Sequence, residues 1–149
     1  AKLFAVIFFT AAPVLTILKA GPSGAFAPLH EFLHHANGMP KNDMYFWISG
    51  FLSSILDNAP TYLIFFHMAG GDPATLMGPM ATTLLAFSMG SVFMGAMTYI
   101  GNAPNFMVKS IAEMHEIQMP TFLGYMAWSI GILLPILALM GIVCVSCGI

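Results

Sequence analysis

Two stretches of the 149-residue chain, residues 77–100 and 122–145, each run for 24 residues without a charged side chain. A helix rises about 1.5 Å per residue, so either stretch is long enough to cross a hydrocarbon core of roughly 30 Å. Composition removes the alternative of two core helices in a soluble globule. The chain is 58% hydrophobic and 7% charged, with a mean hydropathy of +0.86, whereas a soluble domain carries roughly 25% charged residues. Too few polar side chains are present to cover a globule. In lipid every backbone polar group must be satisfied internally, so the expected fold class is an all-α polytopic membrane protein.

Two further apolar regions complete the pattern, 3–18 and 44–70. The first is short for a span and is flanked by Lys2 and Lys19, without the charged, apolar and cleavage-site order of a signal peptide. Ala1 stands where a Met would open a gene product, so the chain reads as a piece of a longer one. The connections are polar and punctuated by Gly and Pro. Residues 25–36 set Phe26, Leu29 and Leu33 opposite His30, Glu31 and His34, which reads as an interfacial segment. The four Lys are too scattered to orient the chain. With no Arg and a net charge of −2, no nucleic-acid partner is expected. Ser91 and Gly95 form a small-xxx-small pair that permits close helix approach, and Pro135 is expected to kink the last span.

The informative feature is a polar cluster inside oil. Asp57-Asn58-Ala59-Pro60-Thr61 interrupts the second apolar region, and Gly101-Asn102-Ala103-Pro104-Asn105 repeats its centre 44 residues later. Asn is a good N-cap and Pro is tolerated in a first helical turn, so each triplet reads as a helix start. A helix that starts inside an apolar run requires another that has just stopped. The arms around Asp57 are too short to cross a bilayer, which needs around 20 residues, and suit a re-entrant hairpin over 44–70 with its tip at 57–61. The second triplet breaks a helix of 77–115 at 101–105. A final helix is expected over 121–146. Irregular backbone at membrane depth is tolerated where it is buried in protein or lines a wet cavity, as in transporters with discontinuous helices. The competing reading makes both triplets loops between ordinary spans.

A carboxylate in lipid is costly and usually functional. Burial raises its pKa and a bound cation lowers it again, so Asp57 can hold a proton or a cation but not both well. That is the chemistry of exchange. Asn58, Thr61, Thr98, Asn102 and Asn105 are the candidate neutral oxygens for a hard cation such as Na⁺. Lys109 is the candidate counter-charge to Asp57, or a residue that snorkels to the interface. Asp57 as a plain helix cap remains the alternative.

The stretches FWISGFLSSILDNAPTYLIFF and GSVFMGAMTYIGNAPNFMVKSIAE resemble the ion transporter superfamily in its citrate-transporter-like branch, and within it sodium/proton antiporters of the NhaD type. The resemblance covers residue 3 to the end and is most specific over 45–71 and 90–113. It implies one half, the C-terminal one, of an inverted-repeat transporter that works by alternating access. It also implies a multi-pass protein of the bacterial inner (plasma) membrane. The partners implied are the lipid bilayer and the N-terminal half of the same transporter, with a homodimer as a further arrangement. Where dicarboxylate-transporting relatives have a Ser-Asn-Thr hairpin tip, Asp57-Asn58-Ala59 stands here. Where they have a Gly-Thr-Pro-Pro-Asn-like break, Gly101 to Asn105 stands here. The acid at position 57 favours a cation over a carboxylate substrate. Met97 departs from the polar Asn expected near the break. The expected function is Na⁺/H⁺ antiport with no cofactor beyond the transported ions and no enzymatic activity, and transport of citrate or a dicarboxylate is the alternative.

One motif points elsewhere. His30-Glu31-Phe32-Leu33-His34 matches H-E-x-x-H, in which two His on one helix face bind Zn²⁺ and the Glu is the general base, with His35 or Asp57 as a third ligand. It would make the chain an intramembrane zinc peptidase. Pro28 and Asn37-Gly38 leave this helix short. Cys144 and Cys147 form a lone C-x-x-C, read as two small apolar residues one turn apart.

Overall fold

The computed structural model describes residues 27–146, together with residues 13, 16, 17, 23 and 24. The expected helix over 3–18 and Cys147 lie outside the described residues, apart from positions 13, 16 and 17. Among the described residues the chain is helical without a strand, with one isolated bridge between His34 and Pro40.

The interfacial segment forms α1, Ala27–Leu33, which ends on the fully buried Leu33. The hairpin region forms α2, Asn42–Ser53, and α3, Asn58–Met68. The turn between them is 54–57 and lies ahead of the expected tip, because residues 58–61 already belong to the first turn of α3. Asp57, not Asn58, holds the N-cap position, in extended conformation and without a side-chain cap bond. Pro60 fits that first turn, where no intrahelical donor is needed. Gly70 and Gly71 follow α3 with φ of 105° and 70°, values an L side chain adopts only under strain.

The run 77–100 does not form one span. Pro73–Met77 is a separate short helix, α4, capped by Asp72, whose side chain accepts from the amides of Ala74 and Thr75. Hydrogen bonds from the Thr75 hydroxyl and amide hold the Asp72 carboxyl below the usual carboxylate range. After Gly78 and Pro79 the chain restarts as α5, Ala81–Phe93, and tightens into a 3₁₀ turn, Met94–Met97. It then leaves helical geometry at 98–102 and resumes as α6, Ala103–Met114, with Asn102 at the N-cap and Pro104 in the first turn. The final helix, α7, runs on through Phe122–Trp128, a π-helical turn at Ser129–Leu133 ahead of Pro135, Leu134–Gly141 and a second π turn at Ile142–Ser146. Among the described residues one helix, Phe122–Val145, is long and apolar enough to cross a membrane; Ala81–Met97 is apolar but shorter.

α2 and α5 make the most extensive helix pair. Ser49, Gly50 and Ser53 of α2 meet Gly90 and Ser91 of α5 and Gly95 of the 3₁₀ turn, so the backbones approach closely, and small residues at a helix interface are what membrane packing requires. The buried aromatics Tyr45, Phe46, Phe65 and Phe87 flank this crossing, with Tyr45 edge-on to Phe65 at 6.0 Å. α6 buries none of its residues, and Val108 and Met114 are among its exposed apolar side chains.

Candidate functional site

The two irregular segments, 54–57 and 98–102, touch each other. Thr98 Oγ1 donates to the Ser54 carbonyl at 2.5 Å and accepts from the amides of Ile100 (3.2 Å) and Gly101 (2.9 Å). A hydroxyl has one proton and two lone pairs, so this one is fully used. Thr98 thus ties the break to the hairpin turn and has no lone pair left for an ion. Gly101 fits where no other residue would. A β-carbon there would lie 2.7 Å from the Gly95 carbonyl oxygen and 2.8 Å from those of Ser53 and Ser54.

The helix ends explain the oxygen density. The last carbonyls of a helix have no intrahelical donor and carry partial negative charge. Here α2 and the 3₁₀ turn both end beside the contact. Asn105, one turn into α6, reaches back with Nδ2 to the carbonyls of Gly95 and Thr98, each at 3.2 Å. Its amide hydrogens are thereby committed, and Oδ1 is left as an acceptor. The first turns of α3 and α6 start at the same two breaks and bring the opposite partial charge.

The remaining candidates sit around this contact. Thr61 is fully buried and its hydroxyl donates to the Asp57 carbonyl at 3.0 Å, leaving its lone pairs open. Asp57, Asn58 and Asn102 are half-buried, and their side chains make no hydrogen bond to another described residue. Lys109 does not pair with Asp57. Its ammonium lies 2.5 Å from Glu113, one helical turn on, and 5.5 Å from the centre of the Tyr99 ring. Two hydroxyls were missed in the sequence. Ser53 donates to the Ser91 carbonyl at 2.5 Å, and Ser91 Oγ is buried with no partner. The spacing of Ser49, Gly50, Ser53 and Ser54 against Gly90, Ser91 and Gly95 is the signal that would have found them.

The H-E-x-x-H residues are otherwise engaged. His30 and His34 stack at 4.0 Å, His34 Nδ1 lies 2.8 Å from the His30 carbonyl, and His34 Nε2 lies 3.3 Å from the Tyr45 hydroxyl. Both His34 nitrogens thus face protein partners, while Glu31 and His35 are exposed. Among the described residues no three His, Cys, Asp or Glu side chains are grouped to hold a metal ion. Cys144 is a free, half-buried thiol.

A family model described as "Putative citrate transport" matches residues 1–145 of the chain. The chain belongs to that family. No curated protein and no solved structure gave a match. Membership in a citrate transport family accounts for the apolar composition and points to a membrane-embedded secondary transporter rather than an enzyme.

Proposed function

We propose that the chain is the ion-binding half of a secondary transporter that exchanges Na⁺ for H⁺ by alternating access, with Asp57 as the shared site. The observation that supports this reading is the junction of the two breaks: the turn tied to the 98–102 break by Thr98 ends on Asp57, whose side chain bonds no other described residue. In this reading Asp57 takes either a proton or a cation, and each displaces the other. Asn58, Thr61, Asn102 and Asn105 Oδ1 supply neutral oxygens, the ligand class a hard cation prefers. Thr98 holds the turn in place, and the unpartnered Ser91 hydroxyl is a further donor of an oxygen lone pair. A hairpin and a broken helix moving together against the N-terminal half of the transporter would switch the site between the two faces of a bacterial inner membrane.

The family description supports a second reading, transport of citrate or another carboxylate. The first turns of α3 and α6 at the same junction could receive its carboxylates. The two readings separate in vesicles holding the complete protein. An imposed Na⁺ gradient should move protons in the wild type and not in Asp57→Asn, which keeps the shape and removes the charge. Undiminished exchange in the variant would falsify the role of Asp57. Uptake of citrate with no response to Na⁺ alone would replace the antiport reading with the second one.

A further inference from the structure

Side chains serve several carbonyls at the break of 98–102. Asn105 serves Gly95 and Thr98. Ala96, between them, is served from another helix. Tyr125, in the first segment of α7, donates its hydroxyl to the Ala96 oxygen at 2.8 Å. The ring of Tyr125 also stacks on Tyr99 within the break, with centroids 4.1 Å apart and planes 28° from parallel. Tyr99 in turn donates to the Pro120 carbonyl, just ahead of α7, at 3.2 Å, and carries the Lys109 ammonium of α6 over its ring. The π turn of α7 packs against the 3₁₀ turn that holds Ala96.

We infer that Tyr125 is a positioning residue for the broken helix: through the Ala96 carbonyl and the Tyr99 ring it fixes the end of the 3₁₀ turn, and with it the orientation of Thr98 and Asn105. The inference rests on the proposed function for its consequence, because Asn105 Oδ1 presents itself to an ion only while its amide hydrogens are held by Gly95 and Thr98. It adds a residue that touches no solute and lies outside both Asn-Ala-Pro triplets.

Tyr125→Phe isolates the effect, since it keeps the stacked ring and removes one hydroxyl. Two measurements on the complete protein are needed. In hydrogen exchange, the amides of Ile100 and Gly101, both held by Thr98, should lose about tenfold in protection, the loss expected when one hydrogen bond to a half-buried carbonyl is removed. In vesicles, the apparent KM for the driving ion should rise several-fold while the maximal rate stays within about a factor of two, because the site is loosened and not removed. Tyr99→Phe, which loses only the bond to Pro120, should leave the KM near the wild-type value. Unchanged protection at 100 and 101 in Tyr125→Phe overturns the inference. So does a fall in maximal rate and thermal stability with no change in KM, which is what a purely structural tyrosine would give. The exchange arm is independent of cargo: reduced protection in a protein that responds to neither Na⁺ nor citrate would sink the proposed function and leave the positioning role standing.

Discussion

Gly90→Ala is the sharpest test of the packing that brings the two breaks together. A β-carbon at position 90 would lie 2.2 Å from Ser49 Oγ, 2.4 Å from the Phe46 carbonyl oxygen and 3.1 Å from the Gly50 amide nitrogen. Ser49 can rotate away. The Phe46 carbonyl cannot, because it is main chain inside α2, so relief requires the helices to part by close to 1 Å before ordinary van der Waals separation is restored. A shift of that size breaks the hydrogen bond from Ser49 to the Phe87 carbonyl, already 3.4 Å long, and strains the one from Ser53 to the Ser91 carbonyl. Overpacking costs about 1–3 kcal/mol and a lost buried hydrogen bond about 1 kcal/mol. Replacing a helical Gly by Ala returns up to ~1 kcal/mol through backbone entropy. The net expectation is a loss of about 2–3 kcal/mol.

At roughly 2–4 °C per kcal/mol for a protein of this size or somewhat larger, the midpoint should fall by about 4–12 °C. The assay is thermal unfolding in detergent, followed by the fluorescence of the two Trp and by recovery from size exclusion after heating. Gly131→Ala is the matched control: nothing lies within 4 Å of a β-carbon at that position, so it should melt at or slightly above the wild-type temperature. If Gly90→Ala melts within about 1 °C of this control, the close crossing of α2 and α5 is wrong, and with it the contact between the two breaks.

Ser91→Ala removes a buried hydroxyl that has no partner, so it should leave the melting midpoint unchanged or raise it, while Ser53→Ala, which deletes a real bond, should cost about 1 kcal/mol; a clear drop in the Ser91 variant would show that the hydroxyl is engaged. The second expectation concerns pH. Burial, and after it the charge of His34, lower the pKa of His30 from 6.5. The unfolded chain therefore binds the proton more tightly, so the contribution of His30 to stability is intact above pH 6.5 and is lost as pH falls from there through the lowered folded value. The melting midpoint should decline between pH 7.5 and 5.5, and the decline should be shallower in His30→Gln; an identical slope would refute it.

Local chemistry was legible in the sequence, and long-range chemistry was not. Both helix restarts lie at the triplets, with Pro60 and Pro104 in the first turns, although Asp57 and not Asn58 takes the first N-cap and neither cap residue makes a side-chain cap bond. The ends of the preceding helices were misplaced because they depend on distant partners. The turn after Ser53 is held by Thr98, 44 residues on from Ser54, and no window of hydropathy carries that information. The same limit explains the run at 77–100. It satisfies a length criterion for a span, yet the chain is interrupted between Met77 and Ala81 and the apolar helix ends at Met97. For Lys109 the nearer partner decided the matter: Glu113 stands one turn away on the same helix, where a pair forms at little entropic cost. The hydroxyls of Ser53 and Ser91 left no trace in the apolar pattern, because Ser is compatible with a membrane interior when it bonds a carbonyl.

The two Asn-Ala-Pro triplets share a local grammar but differ in what holds them. The second is braced from three sides: the α2 end through Thr98, α6 through Asn105 and α7 through Tyr125. The first shares the Thr98 bond at Ser54 and is otherwise held by its own residues, through Thr61 on the Asp57 carbonyl and Ser54 on the Phe51 carbonyl. Half-buried polar side chains without partners carry a desolvation cost that a ligand can recover, and among the described residues of these two turns those side chains are Asp57 and Asn102, with Asn58 next to the first in the opening turn of α3. In the proposed exchange the braced turn would be the fixed wall of the junction, and the ordering on binding would fall on the turn that carries Asp57.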